Sequence, residues 1–195
     1  MQPIQPARAA LVLIDVQQVF HLWEEQGMAR NNPQAESNIG TLIAASRAAG
    51  IEVIHIRHRS LRPTSQFHVS HPGHRVMDFA RETGGETVLY KSVNSGFIGT
   101  GLEHYLRARA IGQMLVAGIT TNHCVETTTR MAGNLGFDVK LVADAAYTFE
   151  RAGPDGRHYS AQQLHDVSLA NLNEEFAEIV TTREVLARIT QAPAG

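Results

Sequence analysis

The feature that most restricts the fold of this chain is the regular alternation of short apolar runs with segments of helical composition. The six runs cover residues 9–15, 51–56, 86–91, 114–117, 137–142 and 177–180. Such alternation predicts parallel strands joined by right-handed crossovers, with helices on both faces of the sheet. We therefore predict an α/β fold: a three-layer α/β/α sandwich around a central, mainly parallel six-stranded sheet of Rossmann-like type. Nothing indicates a second domain or an internal repeat, so residues 1–195 are expected to form a single domain.

The segments between the runs predict the remaining elements. Helices are expected at residues 33–49, 102–109, from 124 to the glycines at 133 and 136, from 160 onward, and at 184–189. The core face of the helix that begins at residue 160 is expected to consist of Leu164, Val167, Leu169 and Leu172. Residues 16–32 lack a clear period and are predicted to be a long loop that can include a helical turn. Residues 57–72 are polar, contain two prolines and are predicted to be a second loop, and a short helix is expected at 76–81.

The composition excludes several classes of partner. Hydrophobic residues make up 43% of the chain and charged residues 18%, and the net charge is -2 at pH 7. A chain without a strong positive field is not expected to bind nucleic acid or an anionic membrane. No apolar run approaches the roughly 20 residues that cross a bilayer, and residues 1–8 show no secretory signal pattern. A single cysteine cannot form an internal disulfide, which favours a cytoplasmic location.

The single cysteine lies between a predicted strand and a predicted helix, in the segment MLVAGITTNHCVETTTRMA. The strand ends at Gly118, a polar turn follows, and the helix begins at Cys124. A sulfur at a helix start faces unpaired backbone N–H groups, which lower the pKa of a thiol and favour the nucleophilic thiolate. The alternative is a small buried apolar side chain, the common role of a lone cysteine. The local context favours the nucleophile.

Two charged side chains are predicted at the same edge of the sheet as Cys124. Asp15 closes the first apolar run and Lys91 closes the third. In open parallel sheets the ligand site lies beyond the carboxyl ends of the strands, so these three side chains are expected to converge. Asp15 would take the thiol proton and later return it to a leaving amine, and Lys91 would favour both anions. Taken singly, Asp15 also suits a turn cap and Lys91 a solvated strand end.

Four stretches of the sequence resemble one family of enzymes. They are LVLIDVQQVF, KSVNSGF with the later TGLEHYL, GITTNHCVETTTRMAGNLGFDVKLVADA and SAQQLHDVSLANLNEEFAEIVTT, which extend over nearly the whole chain. These stretches are similar to the isochorismatase-like cysteine hydrolases, a family that includes nicotinamidases and N-carbamoylsarcosine amidohydrolases. The resemblance implies an isochorismatase-like fold.

The resemblance also implies a mechanism. It assigns Asp15, Lys91 and Cys124 as a catalytic triad, with a cis peptide bond between Ile119 and Thr120. The backbone N–H groups of Thr120 and Cys124 would form the oxyanion hole. Family members that hydrolyse a vinyl ether lack the cysteine, so Cys124 favours cleavage of a small amide through a thioester. The alternatives are isochorismatase-type hydrolysis of a vinyl ether and small-molecule binding without catalysis.

The nicotinamidases of this family bind a metal through an Asp-x-His pattern after the second strand. Here the stretch reads HIRHRS, which places His58 at the aspartate position and Ser60 at the position of the first histidine. Other nitrogen donors for zinc are available nearby, since the surrounding histidines are His55, His58, His68, His71 and His74. No carboxylate or cysteine joins them in the sequence. We therefore expect no metal and no other cofactor.

The substrate pocket is expected in the loops that follow the catalytic strands. Trp23 and Phe97 are candidates for stacking on a flat substrate, with core packing as the alternative. Candidates for polar contacts are Gln17, Arg57, His123 and Tyr147. Of these, Arg57 would suit a substrate carboxylate.

The two long predicted loops also carry apolar side chains. These are Phe20, Leu22, Trp23, Leu61 and Phe67. An exposed apolar patch marks an interface, so the loops predict a closed homodimer or homotetramer. The alternative is that these side chains fold back over the pocket of their own domain.

Overall fold

The computed structural model of the chain describes residues 3–190 and is built around one six-stranded sheet. The strands are β1 (Ala9–Ile14), β2 (Glu52–His58), β3 (Thr87–Lys91), β4 (Gln113–Ile119), β5 (Asp138–Tyr147), β6 (Arg151–Ala152), β7 (His158–Tyr159) and β8 (Glu178–Val180). The helices are α1 (Val19–Glu25), α2 (Ala35–Ala48), α3 (Leu102–Ala108), α4 (Glu126–Asn134), α5 (Ala161–Leu172) and α6 (Thr182–Thr190). The main sheet has the order β3-β2-β1-β4-β5-β8 with every neighbouring pair parallel, which confirms the predicted fold class.

Helices cover both faces of the sheet, because the strand side chains alternate between two apolar cores. In β1, Leu11 and Leu13 enter one core, and Val12 and Ile14 enter the other. The first core also receives side chains of α1, α2 and α6, and the second receives side chains of α3, α4 and α5. Within residues 3–190, no helix has the length and apolar character needed to span a bilayer.

The order of the strands determines where a ligand site can form. After β1 the chain adds β2 and β3 on one side, and then returns to place β4 on the other side of β1. The crevice beyond the carboxyl ends of β1 and β4 is therefore the topological switch point, the usual ligand site of an open α/β sheet. Asp15 directly follows β1, and the segment that contains Cys124 follows β4.

Three predicted elements need correction. Residues 16–32 are not a loop throughout, because they contain α1, whose Val19 and Phe20 are buried. Residues 76–81 form only a short 3-10 turn, Asp78–Ala80. β5 continues to Tyr147 and pairs with the end of β4, so it is longer than the apolar run that predicted it.

The helix α5 is rotated relative to the prediction. Leu172 is buried as expected, but Leu164 and Leu169 are only half-buried and Val167 is 59% exposed. The buried face consists of Ala161, His165, Ser168 and Leu172. The rotation follows from a polar contact, since Nδ1 of His165 lies 2.8 Å from Oγ1 of Thr121 in the turn after β4. Apolar periodicity cannot indicate a helix face that is buried through hydrogen bonding.

Candidate active site

Asp15 and Lys91 form a buried ion pair at the carboxyl edge of the sheet. Nζ of Lys91 lies 2.6 Å from Oδ2 of Asp15, and the two side chains are 0% and 1% exposed. Burial is the largest single influence and would lower the pKa of the Lys91 ammonium, but the charges and hydrogen bonds of Asp15 and Cys124 together raise that pKa. Oδ1 of Asp15 is buried without a hydrogen-bond partner among the described residues, so it is the oxygen left to accept a proton.

The backbone of Asp15 is itself unusual. Its φ is 52°, in the left-handed region that residues other than glycine rarely adopt. Such conformations cost on the order of 1 kcal/mol and cluster at functional sites. The turn out of β1 therefore holds Asp15 in a position that the ordinary end of a strand would not provide.

Cys124 lies in a single π-helical turn, Thr121–Val125, which links β4 to α4. Turns of this kind are frequent at functional sites. The sulfur of Cys124, a carboxylate oxygen of Asp15 and a ring nitrogen of His58 lie within 4.8 Å of one another. The three side chains that the sequence predicts to converge are thus neighbours in the structure, and His58 joins them.

The predicted low pKa of the Cys124 thiol is wrong. Burial, and then the negative charge of Asp15, raise the pKa of Cys124 to about 12, whereas Lys91 acts in the opposite direction. α4 begins only at Glu126, so the sulfur lies in the preceding turn, where burial and the charge of Asp15 raise its pKa. At neutral pH a protonated thiol therefore lies beside the Lys91–Asp15 ion pair.

The backbone before Cys124 brings β4 very close to β1. Gly118 has a φ of 135°, and a Cβ at this position would lie 2.1 Å from the carbonyl oxygen of Ile14. Only glycine fits there, because both the conformation and the contact exclude a side chain. The following peptide bond, Ile119–Thr120, is cis.

A cavity of about 300 Å³ opens beside Thr120. Side chains that line it include Trp23, Met28, Thr120, His123, Phe149 and Arg151. Trp23 and His123 are candidates that the sequence identifies, whereas Met28, Phe149 and Arg151 are not. The last two follow β5, and the sequence pattern ends that strand too early to bring them to the site.

Gln17 and Arg57 lie away from this cavity. Gln17 is fully buried, and its amide donates to the carbonyl oxygens of His58 and His74 and accepts from the N–H of His58. Arg57 pairs with Glu82 and borders a separate cavity of about 580 Å³. Because Arg57 and His58 are adjacent in β2, their side chains point to opposite faces of the sheet. Gln17 therefore makes structural contacts, whereas the substrate contact expected of Arg57 stays a prediction for a cavity other than the one beside Thr120.

Phe97 and Tyr147 also belong to the protein interior. Phe97 is 8% exposed, and its ring stacks on Phe137 with the centroids 6.0 Å apart. Tyr147 is completely buried, and its hydroxyl donates to Oε1 of Glu36 at 3.3 Å. Core packing, the alternative for Phe97, is the role that the structure gives to both rings.

Within residues 3–190, two groups of side chains offer three metal-donor atoms within 4.8 Å. One group is Asp15, His58 and Cys124, and the other is His21, Glu24 and Glu36. In the first, the Lys91 ammonium already lies between Asp15 and His58, at 2.6 Å and 3.2 Å. In the second, Arg30 pairs with Glu24 at 3.0 Å and Glu36 at 3.3 Å. A resident cationic side chain opposes the binding of a metal cation in each group.

The histidines considered as zinc ligands have separate partners. His55 pairs with Glu86 at 3.0 Å. The other contacts are those of His68 with Ser70, His71 with the N–H of Gly73, and His74 with the carbonyl of Phe67. Of the five, His58 alone belongs to a three-donor group within the described part of the chain.

The comparison with known proteins identifies the family. Residues 9–184 match the isochorismatase domain family, and the chain belongs to it. The chain is therefore an isochorismatase-family hydrolase, as the resemblance of its motifs predicts.

Three proteins illustrate its similarities. The isochorismatase family protein YrdC of Bacillus subtilis is 40% identical over 179 residues, which cover 92% of this chain and 95% of YrdC. The ureidoacrylate amidohydrolase RutB of Rhizobium rhizogenes is 25% identical over 224 residues, which cover 97% of this chain and 86% of RutB. The solved structure of an isochorismatase-family protein from Chromobacterium violaceum superposes with a TM-score of 0.91 at 41% identity, and covers 97% of this chain and 98% of that one.

Proposed function

We propose that this protein is a cysteine-dependent amidohydrolase that cleaves the C–N bond of a small-molecule amide. The observation that carries the proposal is the cluster at the carboxyl edge of the sheet. Lys91 lies 2.6 Å from Asp15, and the sulfur of Cys124 lies within 4.8 Å of the Asp15 carboxylate. Similarity to the amidohydrolase RutB supports the same class of reaction.

The proposed reaction uses Asp15 as both base and acid. Asp15 removes the proton of the Cys124 thiol, and the sulfur attacks the carbonyl carbon of the amide. Backbone N–H groups of Thr120 and Cys124 stabilise the oxyanion. As the C–N bond breaks, Asp15 returns the proton to the leaving nitrogen, and the acyl group stays on the sulfur as a thioester. Water then attacks the thioester, Asp15 takes a proton from that water, and the acid is released as the thiol re-forms.

Lys91 has a constant role in this scheme. Its ammonium stands beside whichever partner is negative, the Asp15 carboxylate at rest or the sulfur during attack. Because Asp15 is buried and Cys124 is partly buried, this charge compensation has a larger effect than it would in water. The raised pKa of Lys91 keeps the ammonium charged at neutral pH.

The cavity beside Thr120 supports an amide with an apolar body and an anionic group. Trp23 and Phe149 form an aromatic wall, with ring centroids 5.4 Å apart. Arg151 donates to Nε2 of His123 at 3.1 Å, and no carboxylate pairs with Arg151 among the described residues. The Glu150 carboxylate also lines the cavity, but it accepts from the N–H of Ala29 and pairs with His158. A carboxylate of the substrate would provide that missing partner.

Ammonia release from a panel of small amides, with and without a carboxylate, tests the proposal. We expect turnover of at least one carboxylate-bearing amide by the wild type. A vinyl ether hydrolase would produce no ammonia, and a non-catalytic binding protein would leave the amide intact. If no amide in the panel releases ammonia above background, amide hydrolysis is contradicted.

We expect activity to be independent of metal. The Lys91 and Arg30 cations occupy the two three-donor groups of the described chain, which leaves no favourable position for a metal there. Dialysis against a strong chelator should therefore leave kcat/KM unchanged. Loss of activity on dialysis, with recovery on addition of zinc, iron or manganese, would contradict this expectation.

We also propose that the protein forms a homodimer or homotetramer, through a surface that keeps only Leu61 of the predicted patch. Phe20 is 2% exposed, and Trp23 and Phe67 pack on the same core, so these side chains cover their own domain. The apolar side chains left exposed at the outer strand β3 include Leu61 at 79% and Ile98 at 54%. An unpaired edge strand beside exposed apolar side chains favours association.

Light scattering behind size exclusion measures the assembly state. We expect the mass of a dimer or tetramer at micromolar concentration. An Ile98→Glu variant should shift that mass towards the monomer, whereas Val167→Glu, at an exposed position on α5, should not. A monomeric mass for the wild type would contradict the proposal.

A further inference from the structure

His58 lies directly beside the catalytic lysine. It is the last residue of β2 and stands in register with Lys91, the last residue of β3. Its Nδ1 lies 3.2 Å from Nζ of Lys91. The sequence places this histidine where nicotinamidases have a metal-binding aspartate, and here the side chain contacts a triad member.

The chemistry of the two groups fixes the protonation of the ring. An ammonium group donates three hydrogen bonds and accepts none. The contact with Lys91 therefore requires Nδ1 of His58 to be unprotonated, which places the proton of the neutral ring on Nε2. Burial, and then the charge of Lys91, lower the pKa of His58, in agreement with a neutral ring at physiological pH.

The surroundings of His58 hold its ring in place. Phe67 packs against the ring with the centroids 4.9 Å apart. The side chain of Gln17 clamps the backbone of His58, accepting from its N–H at 2.8 Å and donating to its carbonyl oxygen at 3.0 Å. A ring anchored on its face and through its backbone is a rigid acceptor for the lysine.

We propose that His58 is a positioning residue that orients the ammonium of Lys91 towards Asp15 and Cys124. Its consequence for catalysis rests on the proposed function, but its effect on the thiol does not. The other groups that face it are Asp15 after β1, Cys124 in the turn after β4, and His74 in the turn Pro72–His74. With Nδ1 as acceptor, His58 and Asp15 bind two of the three N–H groups of the ammonium. The direction of the third N–H group, towards Cys124, is then fixed by the geometry of the ammonium.

Alkylation of Cys124 by iodoacetamide tests this role without a substrate. The chain contains one cysteine, so intact mass reports on that sulfur alone. His58→Asn keeps an acceptor oxygen close to the position of Nδ1, whereas His58→Leu removes the acceptor. We expect alkylation of His58→Leu at pH 7.5 to be about tenfold slower than wild type, and that of His58→Asn to stay within about threefold. Equal rates for the two variants would overturn the proposal.

A second measurement determines the protonation of His58 in the wild type itself, and uses the His58→Asn variant only to assign the resonance. Nitrogen-15 spectra of labelled histidine distinguish a ring protonated at Nε2 from one protonated at Nδ1 or at both. We expect His58 to be neutral with the proton on Nε2 at pH 7.5, its resonance being identified by its loss in His58→Asn. A proton on Nδ1 would overturn the proposal.

The results separate the two claims. If the variants differ as expected but no amide releases ammonia, His58 positions Lys91 and the proposed amidohydrolase function fails. If ammonia is released but His58→Leu and His58→Asn are alkylated at the same rate, the function stands and the positioning role fails.

Discussion

Cys124→Ala is expected to abolish turnover while the protein stays folded. The substitution removes the proposed nucleophile, and the loss of kcat should be at least about 10⁴-fold, as for other covalent catalysts. The fold should persist because Cys124 is only partly buried and loses a single heavy atom. Steady-state ammonia release and a thermal unfolding curve measure the two effects together.

Two further variants sharpen this result. Cys124→Ser should also be very slow, because Asp15 is a weak base for an alcohol. Thr127→Ala, on the exposed face of α4 close to the nucleophile, is the matched control and should leave kcat unchanged. Wild-type kcat in a folded Cys124→Ala protein would show that the nucleophile has been assigned wrongly.

Gly118→Ala is expected to be the most destabilising substitution of a small residue near the site. The new Cβ would lie 2.1 Å from the carbonyl oxygen and 2.7 Å from the nitrogen of Ile14. These atoms belong to β1, which pairs with β2 on its other side and cannot move away. With the added strain of a positive φ, we expect the free energy of unfolding to fall by about 4 kcal/mol or more.

Gly85→Ala is the control for that prediction. Gly85 also has a positive φ, of 96°, but nothing lies within 4 Å of its Cβ position. Only the backbone strain remains, which costs about 1 kcal/mol. Urea denaturation measures both variants. If Gly118→Ala unfolds at the same urea concentration as Gly85→Ala, the close approach of β4 to β1 is contradicted.

The sequence predicts both the sheet and the edge at which Asp15, Lys91 and Cys124 meet, for one reason. Strands buried on both faces are continuous apolar runs, and a polar residue that ends such a run marks the edge of the sheet. Asp15 and Lys91 stand at those ends, and Cys124 follows the run that ends at Gly118. Parallel strands bring these ends to one edge of the sheet, so the local apolar pattern and the direction of the strands are enough to predict that the three side chains lie close together.

The parts that the sequence does not predict depend on long-range partners. The sequence does not show that Arg57 pairs with Glu82. It also does not show that Tyr147 is buried and contacts Glu36. The pKa of Cys124 depends on burial and on a carboxylate that is distant in sequence. Periodicity and capping rules describe neighbours along the chain and carry no information on such contacts.

The central claim is that Cys124 carries the acyl group of an amide substrate as a thioester. The direct test is intact-mass spectrometry of wild-type protein quenched in acid during turnover of an amide from the ammonia panel. We expect a mass increase equal to the acyl group that replaces the thiol hydrogen. The adduct should lie on the peptide containing Cys124, disappear on treatment with hydroxylamine, and be absent in Cys124→Ala. Turnover without any adduct on Cys124, in a protein whose Cys124→Ala variant still releases ammonia, would contradict the claim.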